Sequence, residues 1–276
     1  MDRIHLIASD MDATLLDEQS QLPADFEETI HALAELGIRF APASGRPLYT
    51  LEAMFPTLQD ELVFIGDNGG AIRWKGQNLF TSEISPEGWR ALNRLTREQG
   101  DIAVLCGLES AYVERPFAVH DAVLRHFYTK IEYVDRLEDV TAPADKFTIY
   151  LPQHNAQQAY DTVYASQRSI YSVAVAGECW VDIMNPGVHK GAALQTLGQL
   201  WGLPSESIMA FGDTYNDAEM LQTVRYGFLM ENGSEPLRQK VPFLAPSHRA
   251  AGVMQVLHRV LAQNGCVCPE DFVPAH

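Results

Sequence analysis

The sequence has few cysteines and no long hydrophobic run, and these two absences exclude several classes of protein. Only four of its 276 residues are cysteine, and no two of them form a CxxC pair, so there is no disulfide framework. No stretch approaches the roughly 18 consecutive apolar residues of a transmembrane helix. Acidic residues interrupt the apolar N-terminus, MDRIHLIASDMD, too early for a signal peptide. We therefore expect a soluble protein of the reducing cytoplasm that has no membrane as a partner.

Basic residues are also scarce, with 20 Lys plus Arg against 36 Asp plus Glu and a formal net charge of −16. Because nucleic acids are held by clustered Lys and Arg, this balance is against a nucleic acid as the main partner. The same acidity means that a site for a small anion needs a local cation, either a metal ion or a placed lysine. The hydrophobic fraction of 46% is that of a globular protein and excludes disorder.

The order of predicted elements indicates an interrupted α/β domain. Short apolar runs predict buried strands at 4–9, 38–43 and 62–65. Helical spacing of apolar residues predicts a helix over 23–36, and the order strand, helix, strand is typical of a parallel sheet. The middle of the chain has half-exposed strands and also helices, one of them predicted over 117–128. The βα pattern resumes after Pro186 with a helix predicted over 190–201. The sequence therefore predicts a Rossmann-like parallel-sheet core at 1–82 and 186–276, with an inserted α+β domain at 83–185.

Acidic residues follow two of the predicted core strands. Asp10 and Asp12 come directly after the first strand, and Asp213 and Asp217 follow a strand predicted at 207–211. Ligands bind at the carboxyl ends of strands in open parallel sheets, so these carboxylates would meet at one edge. They would repel one another unless a cation lay between them, and carboxylate oxygens suit Mg²⁺. Either loop alone could be a turn with a helix N-cap, but together they predict a metal site.

Two further segments complete a candidate anion site. Ser44, Gly45 and Arg46 end the second strand with a hydroxyl, a flexible backbone N–H and a base, which suits a phosphate cradle. Lys190 lies at the start of a predicted helix and supplies the cation that the acidic composition requires. Taken singly, Ser44 could be a turn residue and Lys190 a solvated charge. Their order along the chain and their placement at strand ends favour the anion site.

In this order the motifs resemble those of the haloacid dehalogenase superfamily, in its Cof-like phosphatase branch with a large C2-type cap. The motifs are Asp10-Met11-Asp12-Ala13-Thr14, Ser44-Gly45-Arg46, Lys190, and Gly212-Asp213-Thr214-Tyr215-Asn216-Asp217. The inserted domain fits the cap of this branch by position and length more than by motif. Ala13 stands where the branch usually has Gly, and Ser44 where it usually has Thr. We expect a small backbone cost at Ala13 and no lost chemical group.

The resemblance implies covalent phosphoryl transfer assisted by Mg²⁺. Asp10 would be the nucleophile that forms an aspartyl-phosphate, and Asp12 the general acid and base. Asp217 would orient Lys190 or a metal-bound water. The implied catalytic residues are Asp10, Asp12, Ser44 and Lys190. The implied substrate-binding residues are Ser44, Gly45, Arg46, Lys190 and Asn216. The implied metal-binding residues are Asp10, Asp12 (through its main-chain carbonyl), Asp213 and Asp217.

The expected function is that of an Mg²⁺-dependent phosphatase acting on a small phosphorylated metabolite, such as a sugar phosphate, a phosphorylated cofactor precursor or a nucleotide. A phosphomutase, which shares the aspartyl-phosphate, and a non-catalytic sensor of phosphometabolites stay open as alternatives. A phospho-acceptor receiver domain would not carry the insert, and a dinucleotide-dependent dehydrogenase lacks its G-x-G-x-x-G motif. We expect a monomer or a homodimer.

Two groups of residues have no assigned role at this stage. Asn68-Gly69-Gly70 follows the third predicted strand, and could shape the entrance to the site or be simply a tight turn. Asp182 and Asn185 precede the return to the core, where they could contact substrate near a hinge.

Overall fold

The computed structural model describes residues 1–276, with nine α-helices and seventeen strands. The helices are α1 (Phe26–Glu35), α2 (Leu48–Glu52), α3 (Pro86–Gln99), α4 (Asp121–Phe127), α5 (Ala156–Thr162), α6 (Lys190–Trp201), α7 (Ala218–Thr223), α8 (Glu235–Arg238) and α9 (Gly252–Ala262). The strands are β1 (Asp2–Arg3), β2 (Leu6–Asp10), β3 (Arg39–Ala43), β4 (Val63–Gly66), β5 (Ala71–Trp74), β6 (Gln77–Thr81), β7 (Ile102–Gly107), β8 (Ala111–Glu114), β9 (Ile131–Val134), β10 (Ala144–Tyr150), β11 (Ser172–Val175), β12 (Trp180–Met184), β13 (Ile208–Gly212), β14 (Tyr226–Met230), β15 (Phe243–Ala245), β16 (Cys266–Val267) and β17 (Val273–Pro274).

By its internal contacts the chain divides into two compact units. The first comprises Met1–Gly45, Phe55–Leu79 and His189–His276, and the second comprises Arg46–Met54 and Phe80–Val188. The first unit therefore contains all the loops in which the sequence predicts metal ligands. The assignment of 83–185 to a cap that selects substrate stays a prediction.

The core of the first unit is a largely parallel sheet, which confirms the predicted α/β class. The nine-stranded sheet has the order β17-β15-β14-β13-β2-β3-β4-β5-β6, and neighbours from β15 to β4 are parallel. Every residue of β2, β13 and β14 is buried. Strands buried on both faces need apolar side chains on both, which explains why they appear in the sequence as continuous apolar runs.

Aromatic side chains pack one side of this sheet near its β15 edge. Phe211 stacks on Phe228 with ring centroids 4.9 Å apart, and Phe228 stacks on Phe243 at 5.3 Å. Phe272, close to the C-terminus, meets the edge of Phe228 at 5.0 Å. Such pairs add about 0.5–1.5 kcal/mol each beyond their buried area, so they tie the C-terminal segment to the strands that carry the site.

The second unit contains a six-stranded sheet of order β11-β12-β10-β7-β8-β9, antiparallel except between β8 and β9. The two ends of helix α3 are set by residues with well-known capping preferences. Its N-cap Ser85 accepts a hydrogen bond from the Gly88 N–H, Pro86 occupies the first turn, and Gly100 ends the helix in a left-handed conformation. No helix anywhere in the chain combines the length and the apolar character needed to cross a membrane.

Most predicted elements are found, with local differences. The predicted helix at Lys190–Trp201 is confirmed at both ends. A single helix predicted over 117–128 is instead a 3₁₀ turn, Arg115–His120, followed by α4. Strand β12 was not predicted because Asp182 interrupts its apolar pattern, yet all five of its residues are buried.

Candidate active site

The loops that the sequence predicts to form the site follow three adjacent strands of the first unit. Strand β2 lies between β3 and β13, with Asp10 opposite Ala43 and Ser9 opposite Phe211. Because all three strands are parallel, their carboxyl ends lie at the same edge of the sheet. The segments that begin at Asp10, Ser44 and Asp213 therefore start side by side.

A fully buried lysine links two of the acidic residues. Lys190 has no exposed surface, and its Nζ donates to Asp10 Oδ1 at 2.5 Å and to Asp217 Oδ1 at 2.7 Å. Lys190 is the first residue of α6, and the preceding His189 caps that helix by accepting the Ala192 N–H at Nδ1. The cap fixes where the helix begins and so fixes the position of the lysine.

Burial and crowding perturb the ionisation of this cluster. Burial and the negative charge of Asp217 raise the pKa of Asp10 to about 7, although the nearby Lys190 lowers it in part. Burial and the charge of Asp217 likewise raise the pKa of Asp213 to about 6. Burial lowers the pKa of Lys190, but the contacts with Asp10 and Asp217 outweigh it and leave that pKa above its usual value. The carboxylates thus exceed the positive charge available to them, which favours a further cation.

Asp217 also organises the loop that carries Asp213. Its Oδ2 accepts the backbone N–H groups of Asp213 at 3.0 Å and Thr214 at 3.2 Å. Gly212 allows this approach, since a Cβ there would lie 2.4 Å from the Cβ of Asp217. Both oxygens of Asp217 are therefore engaged within the protein.

The first acidic loop is a single wide turn. The Leu16 N–H donates to the Met11 carbonyl at 2.9 Å, and Ala13 within the turn has φ 57° and ψ 13°. A left-handed conformation costs a residue with a Cβ about 1 kcal/mol, which agrees with the cost expected at this position. Asn232 offsets it by donating from Nδ2 to the Ala13 carbonyl at 2.9 Å. Asp12 is exposed at the start of this turn.

Three carboxylates are close enough to share a metal ion. Each of Asp10, Asp213 and Asp217 places one oxygen within 4.8 Å of the others, and all three are buried. Hard oxygen donors of this kind fit Mg²⁺. The residues present therefore fit the cation that the sequence resemblance implies.

The remaining predicted residues differ in their surroundings. Ser44 is buried, with its N–H donating to the Ile65 carbonyl at 2.9 Å, and Gly45 follows it. Asn216 is exposed, and its Oδ1 accepts from Thr214 Oγ1 at 2.5 Å. Arg46 belongs to the second unit, where its Nη1 approaches the sulfur of Met54 at 3.0 Å. The segment that begins at Ser44 thus starts beside Asp10 at the same sheet edge, and the phosphate-binding roles of Arg46 and Asn216 stay predictions.

Two residues that support the site were not identified from the sequence. Asn232 holds the Ala13 carbonyl through Nδ2 and accepts the His248 N–H at Oδ1. His189, to which the sequence analysis assigns no role, is the N-cap of α6. The signal for Asn232 was its position two residues after the end of β14, at the same sheet edge as the acidic loops.

The two unassigned residues of the second unit have partners there. Asp182 Oδ1 accepts from Thr148 Oγ1 at 2.7 Å, with Lys146 Nζ 3.9 Å from its other oxygen. Asn185 donates from Nδ2 to the carbonyls of Ser82 and Glu83, the latter at 2.8 Å. Asn185 therefore ties together the two chain segments at the ends of the insert.

Comparisons with known proteins identify the family of this chain. A family model described as haloacid dehalogenase-like hydrolase matches residues 7–257. The chain is 31% identical over 262 residues to 5-amino-6-(5-phospho-D-ribitylamino)uracil phosphatase YbjI of Escherichia coli, covering 94% of this chain and 96% of that protein. It is 30% identical to the HMP-PP phosphatase of Cronobacter sakazakii, covering 86% and 88%. A crystal structure of a Streptococcus mutans protein superposes with a TM-score of 0.81 at 28% identity, covering 94% and 99%.

Proposed function

The chain belongs to the haloacid dehalogenase-like hydrolases, and from this premise we propose that it is an Mg²⁺-dependent phosphatase that acts through an aspartyl-phosphate on Asp10. The observation that carries the proposal is the buried Lys190 held between Asp10 and Asp217 at the carboxyl end of β2. The named relatives are phosphatases of small phosphorylated metabolites, which supports the same reaction here.

The acidic cluster supplies the metal site in this proposal. Asp10, Asp213 and the main-chain carbonyl of Asp12 would hold Mg²⁺, which when bound neutralises charge on the phosphoryl group and its nucleophile. Asp217 is near enough to contribute an oxygen. Because its two oxygens already accept from Lys190 and from the loop N–H groups, we assign it the positioning of Lys190.

The reaction divides into two displacements at phosphorus. In the first, a carboxylate oxygen of Asp10 forms a bond to phosphorus while the bond to the leaving oxygen breaks, and Asp12 donates its proton to that oxygen. In the second, Asp12 takes a proton from water, the water oxygen bonds to phosphorus, and the Asp10–phosphorus bond breaks. Inorganic phosphate leaves and both aspartates return to their starting states. The exposure of Asp12 suits its exchange of protons with substrate and water.

The Ser44–Gly45 loop and Lys190 would bind the transferring phosphoryl group. The hydroxyl of Ser44 and the N–H of Gly45 would donate to phosphoryl oxygens. Lys190 would offset the negative charge shared by phosphate and nucleophile, in a buried setting where charge interactions are strong. Asn216 and Arg46 remain candidates for further phosphate contacts.

For the substrate, we propose a small phosphomonoester selected by the inserted domain. One face of its sheet carries a buried polar group, Lys146, Thr148 and Asp182, next to the aromatic rings of Tyr150 and Trp180. These groups are buried in the core of the inserted domain, so the choice of substrate rests on the named relatives. The named substrates of the relatives, 5-amino-6-(5-phospho-D-ribitylamino)uracil and HMP-PP, are therefore the first compounds to test.

The test is release of inorganic phosphate from p-nitrophenyl phosphate and from a panel of phosphometabolites, in Mg²⁺ and in EDTA. We expect release that requires Mg²⁺ and that is abolished in Asp10→Asn, while Asp60→Asn, an exposed residue of the same unit, retains wild-type activity. Acid quenching of the wild type during turnover should trap phosphate on the protein, and Asp10→Asn should trap none.

Two results would contradict the proposal. Wild-type turnover in Asp10→Asn would remove the nucleophile assignment. Binding of phosphometabolites with no release of phosphate would favour the mutase or the sensor, and transfer of phosphate to a second hydroxyl would separate these two.

A further inference from the structure

One turn beside the site has a backbone conformation that side chains seldom adopt. Asp67, Asn68 and Gly69, which follow β4, have φ values of 48°, 54° and 99°. Three successive residues with positive φ are unusual, and only the third of them is glycine. Asn and Asp tolerate the left-handed conformation better than other residues, and such conformations persist where the surroundings hold them. We refer to these three residues as the 67–69 turn.

The turn contacts the proposed phosphoryl-binding loop through both the backbone and a side chain. The Asn68 N–H donates to the Ser44 carbonyl at 2.9 Å. The side-chain amide of Asn68 packs against the Gly45 backbone. A Cβ on Gly45 would be 3.2 Å from its Nδ2 and 3.3 Å from its Oδ1. Oδ1 itself is buried and accepts no hydrogen bond. The side chain therefore acts on Gly45 by contact.

The same turn contacts the start of the helix that carries Lys190. A Cβ on Gly69 would lie 2.6 Å from the His189 carbonyl oxygen and 3.3 Å from the Ala193 Cβ. The Gly69 backbone thus packs directly on the backbone of residue 189, one residue before the lysine. One turn of three residues therefore touches the Ser44–Gly45 loop and the residue that immediately precedes Lys190.

We propose that the 67–69 turn sets the spacing between the Ser44–Gly45 loop and Lys190, and that Asn68 is a positioning residue for phosphoryl transfer. The inference rests on the proposed function, because it assigns a role relative to those two groups. Errors of about 1 Å in such positions reduce rates by as much as about 100-fold. The effect falls on kcat more than on KM, since the spacing matters most for the five-coordinate phosphorus of the transition state.

The test uses Asn68→Gly, which keeps the left-handed backbone and removes only the side chain. Its matched control is Asn264→Gly, because Asn264 is also left-handed at φ 51° but is exposed in a turn after α9. With p-nitrophenyl phosphate and Mg²⁺, we expect kcat of Asn68→Gly to fall at least about tenfold with a much smaller change in KM. The inhibition constant of orthovanadate, which adopts five-coordinate geometry, should rise by a similar factor. The control should match the wild type in each measurement.

A second pair of variants tests the contact itself. Gly45→Ala should lower kcat because its Cβ meets the Asn68 amide, and Asn68→Gly removes that amide. The double variant should therefore lose less activity than the product of the two single losses. Calorimetric binding of orthovanadate to all variants gives the same comparison without turnover.

Two results would overturn the inference. The first is an Asn68→Gly variant with kcat and orthovanadate binding within about twofold of the Asn264→Gly control. The second is a double variant whose losses simply multiply. Failure of the wild type itself to release phosphate or to bind orthovanadate would instead remove the proposed function on which the inference rests.

Discussion

Replacing Lys190 with methionine should destabilise the protein strongly and in a pH-dependent manner. The ammonium is fully buried, 2.5 Å from an Asp10 oxygen and 2.7 Å from an Asp217 oxygen. Lys190→Met leaves those two carboxylates facing each other without a cation. Removing one partner of a buried ion pair costs about 3–5 kcal/mol, because the remaining charge is buried and uncompensated.

The assay is urea unfolding in EDTA at pH 5 and at pH 8. The loss should be larger at pH 8, because the pKa of Asp10 is already about 7 with Lys190 present and rises further without it. At pH 5 the carboxyls can take up protons and relieve their repulsion. Adding Asp217→Asn to Lys190→Met should recover at least about 1 kcal/mol at pH 8 by removing one of the two charges.

The matched control is Lys240→Met, an exposed lysine of the same unit, for which we expect a change within about 0.5 kcal/mol. The reasoning is refuted if Lys190→Met and Lys240→Met unfold at the same urea concentration, or if the loss in Lys190→Met is equal at the two pH values.

Three further predictions follow from the same cluster. Asp12→Asn should lower kcat by about 10²–10⁴-fold with unchanged Mg²⁺ affinity by calorimetry, since its main-chain carbonyl is kept; near-normal kcat would exclude it as the general acid. Asp213→Asn should raise the Mg²⁺ concentration for half-maximal activity by at least about tenfold, and an unchanged requirement would exclude it as a ligand. In EDTA, the free energy of unfolding should fall as pH rises from about 4 to about 7, because Asp10 and Asp213 have raised pKa values and the folded protein keeps protons that the unfolded chain releases. Mg²⁺ should flatten this profile at its upper end, and a metal-free stability that instead rises over that range would contradict the raised pKa values.

The fold class and the family could be predicted because local patterns carry them. Buried parallel strands such as β2 and β14 give continuous apolar runs, and α6 begins and ends where its sequence predicts. The four motifs lie at strand ends, where a parallel sheet brings distant segments together. The family match confirms the resemblance drawn from them.

Other features depend on contacts that no local pattern records. Asp217 was expected to orient Lys190 or a metal-bound water. In the fold one of its oxygens accepts from Lys190 and the other accepts from the loop backbone. Asn68 has a left-handed backbone and packs against Gly45, a residue 23 positions earlier in the chain, and no local pattern shows either feature. Residues 46–54 group with the second unit although they follow a core strand directly, which the sequence does not reveal.

The position of β2 in the sheet has a consequence for how the chain is made. One neighbour, β3, is synthesised soon after it, but the other, β13, begins only at Ile208. At about 5–20 residues per second, a ribosome needs roughly 8–30 s to add the intervening chain. Throughout that interval Leu6–Asp10, an interior strand of the finished sheet that is apolar apart from Ser9 and Asp10, has unpaired N–H and C=O groups on the side where β13 will later pair. The nascent protein therefore presents an open strand edge to chaperones, or to other nascent copies, until β13 (Ile208–Gly212) has been translated.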